Sequence, residues 1–318
     1  MTKKKKITLS VTAVALALML ALGSFAAWFL FFKEEYHFMV KDTLADGEGK
    51  KATVILLGGQ SNASGCSRKD YLEKKVTAEA YERYENGFDN VYINYFSSGA
   101  NVSSSFVKCA VGQGENIDHF GPELGMAERL NELYPDETFF IIKWAWGGTN
   151  LYEEWLSPSS SGKTGDLYKQ FVEYVETSLK YLESKNYDVR IEGMCWMQGE
   201  SDSFSTDNAG SYGEHLANLI KDLRKEFSRY ADKDGFVFVD AYIADNPAYW
   251  VYCDMVNAGK AEVAKTSTRN ALVDTIGEGL SCATEPEETP DLAHYDSLSE
   301  IKLGKLFIEE LLRICRAK

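Results

Sequence analysis

Apolar residues fall along the chain in two alternating rhythms. Continuous runs at residues 53–57, 90–96, 138–146, 189–197 and 236–242 have the length and content of buried strands. Between them the spacing changes to threes and fours. Leu167, Phe171, Val175, Leu179 and Leu182 mark one face of a helix over residues 166–184. Helices are also expected at 122–134, with Pro122 in the first turn and Pro135 closing it, at 211–230 and at 258–268; a short strand is expected at 271–275. Ser297-Leu298-Ser299-Glu300 has the form of a capping box before a final helix that runs to about residue 316. Strands alternating with helices predict an α/β fold in which a mainly parallel sheet is covered on both faces. Ligands bind such sheets at the carboxyl ends of the strands. Three of those ends carry unusual residues: Gly58-Gly59-Gln60-Ser61, Gly147-Gly148-Thr149-Asn150 and Gln198-Gly199-Glu200-Ser201-Asp202.

The N-terminus breaks the rhythm. Residues 3–6 are lysines, and residues 7–32 carry no charge. Those 26 residues would span about 39 Å as a helix, enough to cross a bilayer with tilt. The flanking lysines favour a cytoplasmic N-terminus. The rival reading is a signal peptide cleaved near Ser24-Phe25-Ala26, although the apolar run continues past that point through Trp28. The expected organisation is an anchor or signal segment at 1–32, a charged, glycine-containing linker at 33–51, and one domain at 52–318 outside the cytoplasm.

Charge narrows the partners. The net charge is −14, and −18 without the four N-terminal lysines, which argues against nucleic acid and suits a neutral substrate. The six cysteines are irregularly spaced and none has metal-ligand spacing; no metal or other cofactor is expected. Export would permit disulfides, with Cys253–Cys282 and Cys66–Cys109 as the candidate pairs.

Ser61 is the candidate nucleophile, since a strand ending in two glycines can present its hydroxyl at the sheet mouth. A helix-capping serine is the bland alternative. A hydroxyl needs a base, and the chain has four histidines: His37, His119, His215 and His294. His294 is the best placed, with His119 second. Asp291, three residues before it, could fix its tautomer as a triad acid does. Glu200, on a strand-end loop, is the rival acid, and the sequence alone does not separate the two. Donors for a developing oxyanion could come from the Ser61, Gly147 or Gly148 N–H groups or the Gln198 side chain. Trp155 is the candidate for stacking on a sugar ring.

Five blocks together resemble the SGNH/GDSL hydrolase superfamily, and more closely the sialate O-acetylesterase-like group that includes carbohydrate esterase family six acetylxylan esterases. They are Gly58-Gly59-Gln60-Ser61-Asn62, Gly121-Pro122-Glu123-Leu124-Gly125, Trp146-Gly147-Gly148-Thr149-Asn150, Trp196-Met197-Gln198-Gly199-Glu200-Ser201-Asp202 and Asp291-Leu292-Ala293-His294-Tyr295. The resemblance implies a three-layer α/β/α sandwich with a flavodoxin-like sheet, and metal-free serine esterase activity on acetylated carbohydrate. It implies Ser61 as nucleophile and His294 as base, with Asp291 or Glu200 as the acid and Gln198 in the oxyanion role. The same motifs offer Gln60, Asn62, Glu123, Thr149 and Asn150, beside Trp155, as candidate substrate-binding residues. Residues 244–290 depart most from a minimal domain of this kind. The alternatives are an esterase or acyltransferase on other acylated glycans, and a non-catalytic glycan-binding surface protein with the same fold.

Overall fold

The computed structural model describes residues 38–316. The expected membrane or signal segment, residues 7–32, lies outside them. Among the described residues no helix is long and apolar enough to cross a membrane. Residues 38–50 of the expected linker lie against the domain. Lys41 N–H bonds to the Ser104 carbonyl at 2.8 Å, and the Phe38 ring packs edge-on against Phe96 and Tyr174.

Six parallel strands form the sheet: β1 (Lys51–Gly59), β2 (Phe88–Ser97), β3 (Phe139–Ala145), β4 (Asp188–Met197), β5 (Val237–Ala241) and β6 (Asn270–Val273). Their order is β6-β5-β4-β1-β3-β2, and two short antiparallel strands, Asn101–Val102 and Val107–Cys109, pair with β2 at the edge. The chain leaves β1 toward the β3/β2 side and leaves β4 toward the β5/β6 side. The switch therefore falls between β1 and β4, the place where an open α/β sheet forms a ligand crevice.

Helices cover both faces: α1 (Pro122–Leu133), α2 (Asp166–Ser184), α3 (Thr206–Glu226), α4 (Cys253–Ala264) and α5 (Ser297–Cys315). Alternation along the strands sends side chains to two faces. On one, Phe96, Trp144 and Trp196 stand in register beside Gly58, and Trp155 inserts between Trp144 and Trp196 with centroids 5.3 and 4.9 Å away. Phe171 of α2 closes this cluster at 5.9 Å from Trp155. On the other face, fully buried Lys143 of β3 pairs with Glu123 of α1 at 2.8 Å. There α1 and α5 cross with their backbones in contact. A Cβ at Gly125 would lie 2.0 Å from the Ile301 carbonyl oxygen, and one at Gly304 2.0 Å from that of Pro122.

Three elements differ from the sequence expectations. α3 starts five residues early, with Ser205 as its cap accepting from Asn208 N–H. α4 overlaps the expected 258–268 but starts earlier, at Cys253, and ends at Ala264; Gly259, a poor helix former, sits mid-helix where α4 crosses Gly213 of α3. Ser297 does not form a capping box. Its N–H and hydroxyl both donate to the Glu285 carboxylate, at 2.7 and 2.8 Å, while the Glu300 carboxyl is buried and has no hydrogen-bond partner among the described residues. Both expected disulfides are also absent, because all six cysteines are free thiols. Cys109 is buried against the start of α1, where its thiol donates to the Glu123 carbonyl, and Cys66 lies beside Glu115.

Candidate active site

The apolar residues of β1 make it a central strand, and Gly59 ends it. Gly59 has φ +140°, and a Cβ there would sit 2.0 Å from the Met197 carbonyl oxygen, so only glycine makes this turn. Ser61 follows as the first residue of a four-residue helix, Ser61–Ser64, with Gln60 at its N-cap. The Ser61 hydroxyl therefore does not cap the helix, and it has no hydrogen-bond partner among the described residues. Its neighbour Asn62 reaches across the fold. The Asn62 amide donates to the Ala293 carbonyl (3.2 Å) and its oxygen accepts from Tyr295 N–H (3.1 Å). These two bonds bracket His294 and hold it beside the nucleophile turn, although the residues are 233 apart in sequence.

His294 Nδ1 lies 2.6 Å from Asp291 Oδ2, which leaves Nε2 as the nitrogen available to Ser61. Burial pulls the His294 pKa down. The Asp291 hydrogen bond and charge, helped by Glu115 and Glu200, outweigh it and hold the imidazole above its ordinary value. Burial likewise pushes Asp291 up, but its contacts with His294 hold it below the usual carboxylate range. Glu200 takes a different place. It is buried, and its Oε1 accepts from Asn62 Nδ2 at 2.7 Å, so it orients the residue that brackets His294 rather than touching the ring.

The other two strand ends close around Ser61. Gly147 stands beside it, since a Cβ on that glycine would be 3.4 Å from Ser61 Cβ. Gly147 N–H donates to Ser98 Oγ at 3.0 Å. Gly148 N–H and Ser61 N–H have no acceptor among the described residues. Gln198 is placed otherwise than its expected oxyanion role requires. It is fully buried, and its amide donates to Asp202 Oδ2 (2.6 Å) and the Thr149 carbonyl (2.9 Å). Both hydrogens are spent tying strand-end loops together.

Five of the six expected substrate-binding side chains prove to be scaffold. Gln60, Asn62, Glu123, Thr149 and Trp155 are all buried. Gln60 accepts from Gly199 and Ser201 N–H, Thr149 donates to the Trp146 carbonyl, and Trp155 donates to Thr149 from inside the aromatic cluster. Asn150, half-buried, donates from its backbone and amide to Glu154. The second-choice base, His119, has a buried Nδ1 with no hydrogen-bond partner among the described residues, and His215 packs on Tyr152 and Ser160.

Two features carried no local signal in the sequence. Glu115 and Ser98 reach the site on loops from the β2 edge. An aromatic rim runs from Tyr152, whose N–H bonds Asp202, to Phe204, which packs on Trp250, and on to Tyr249, whose hydroxyl feels the Asp291 charge. Phe204 is 50% exposed and Tyr152 37%. Among the described residues, no group of three or more His, Cys, Asp or Glu side chains converges to hold a metal ion.

Comparison with known proteins bears on the family and the fold. A probable carbohydrate esterase of Arabidopsis thaliana is 32% identical over 110 residues, a stretch covering 34% of this chain and 37% of that protein. Among solved structures, the fold is similar to that of NanS (TM-score 0.61, 15% identity, 87% of this chain and 100% of that one). It is also similar to an Arabidopsis thaliana protein (0.59, 21%, 82% and 98%) and to a carbohydrate acetylesterase from Xanthomonas citri (0.57, 14%, 84% and 57%). The model of the family described as "Carbohydrate esterase, sialic acid-specific acetylesterase" matches residues 51–313, which is nearly the whole of the described domain. The chain belongs to this family of carbohydrate esterases.

Proposed function

We propose that the protein is a serine esterase that removes O-acetyl groups from carbohydrate through an acetyl-enzyme intermediate. The observation that carries this reading is the bracketing of His294 beside Ser61 by Asn62, with Asp291 fixed on the far ring nitrogen. Ser61 Oγ attacks the acetyl carbonyl while His294 Nε2 takes its proton. The negative charge on the carbonyl oxygen is met by the Ser61 and Gly148 N–H groups, donors of a kind worth about 10²–10³ in rate each. His294 then returns the proton to the departing sugar hydroxyl, and water, activated by the same nitrogen, releases acetate and frees Ser61. Asp291 keeps Nδ1 protonated, so Nε2 is the basic nitrogen. The Ser61–His294 bond is not closed here; such contacts tighten when substrate arrives. Exposed Tyr152 and Phe204, the latter backed by buried Trp250, offer apolar faces to a sugar. The proposal includes export, with residues 7–32 as anchor or signal and the domain outside the cytoplasm.

The test is acetate release from acetylated sugars by the purified domain and by Ser61→Ala. The variant should lose at least about a thousandfold. Equal rates for the two proteins would remove Ser61 from the mechanism.

A further inference from the structure

Glu115 stands at the nucleophile without a part in the chemistry above. Its loop is clamped there: Glu115 N–H donates to the Gly65 carbonyl at 2.9 Å, immediately after the Ser61 helix. Its Oε1 accepts from Ser64 Oγ and Ser98 Oγ, each at 2.8 Å. That same oxygen lies 2.7 Å from where a Cβ on Gly147 would be, and Ser61 Cβ lies 3.4 Å from that point. One glycine thus separates a half-buried carboxylate from the nucleophile's side chain. Among the described residues Glu115 forms no ion pair; of the basic groups near this corner, Arg68 is held by Asp70 at 2.9 Å, and burial lowers the pKa of His119. The carboxylates Asp291, Glu115 and Glu200 raise the His294 pKa, and the opposing basic neighbour is that same His119. Lys260, which acts on Glu200, is already held by Asp240 at 2.7 Å.

We propose that Glu115 is a specificity-determining residue that selects by charge, admitting uncharged O-acetylated sugars and disfavouring sugars that carry their own carboxylate, such as O-acetylated sialic acid. This rests on the esterase reading above. The physical reason is direct. An anionic sugar whose acetyl group is over Ser61 must bring its carboxylate into a pocket whose fixed charges are negative. The same charge favours the imidazolium that forms when His294 takes the Ser61 proton, so the carboxylate assists the base while restricting the substrate. Ser98 links the two effects, because its hydroxyl donates to Glu115 and accepts from Gly147 N–H.

The experiment measures kcat/KM at pH 8 for an acetylated xylo-oligosaccharide and for O-acetylated sialic acid, at low and high salt. It compares the unaltered protein with Glu115→Gln and Ser98→Ala. Glutamine keeps an acceptor for Ser64 and Ser98 but removes the charge. The unaltered protein should favour the neutral sugar, and salt should narrow the gap by screening. At low salt Glu115→Gln should narrow it about thirtyfold, the size expected for unit charges about 8 Å apart near a protein surface, and should flatten the salt dependence. It should also move the acid limb of the pH profile down. Comparable rates on both sugars, a ratio indifferent to salt, or an equal change of ratio in Ser98→Ala would overturn the charge filter while leaving the esterase intact. Acetate release from neither sugar would sink the esterase reading, and this inference with it.

Discussion

In the proposed mechanism His294 has to be neutral to take a proton from Ser61, yet its surroundings favour the charged form. Burial works against the charge, and Asp291, Glu115 and Glu200 together overcome it. kcat/KM should therefore rise with pH through a limb above about 6.5, the ordinary histidine value. Asp291→Asn removes the largest contribution holding the pKa up, so that limb should move to lower pH. The rate should fall by about 10²–10⁴ as the ring loses its fixed tautomer. A limb that stays put in Asp291→Asn would return the orienting role to Glu200. The same shift acts on stability with the opposite sign. A histidine whose pKa is raised by folding contributes stability that is full below its unfolded value and lost as pH rises through the folded one. The protein should thus be least helped by the His294–Asp291 pair where it is most active.

Among the elements, α5 has the most influence on the site, because His294 lies in the lead-in to it and its place is set by the crossing with α1. Gly125 and Gly304 let the two backbones touch. Gly304→Ala would force them apart, at a cost of about 1–3 kcal/mol for overpacking, or roughly 2–4 °C of melting temperature per kcal/mol. Acetate release should fall as well, although the residue touches nothing in the site. A melting temperature and rate equal to those of the unaltered protein would show that the crossing tolerates a methyl group.

This crossing also marks where sequence reasoning stops. The strands were legible because buried parallel strands are continuous apolar runs. Ser61, His294 and Asp291 were legible because each sits in a short local pattern: a strand ending in glycine, and an acid three residues before a histidine. The direction of a strand-end side chain is not local. Whether Gln198 or Trp155 turns toward substrate or core depends on Asp202, Thr149 and Trp196 across the sheet. Glu115 was invisible for the same reason, since only the clamp onto Gly65 brings it to Ser61.

For the whole molecule, six free thiols stand against proposed export to an oxidising compartment. Burial reconciles the two. It is the largest influence raising the Cys66, Cys109, Cys195 and Cys282 thiols above their ordinary value, which keeps them un-ionised and slow to oxidise. Protease added to intact expressing cells should therefore digest the domain, whereas protection until lysis would place it inside.

The bridge from Asn62 to Ala293 and Tyr295 has a consequence in time. At about 5–20 residues per second, the ribosome completes the base some tens of seconds after the nucleophile. Until the two ends of that bridge meet, the proposed mechanism leaves Ser61 an ordinary hydroxyl with no base beside it. In the proposed mechanism catalytic competence therefore waits on the meeting of two distant segments, and acetate release would report that they have met.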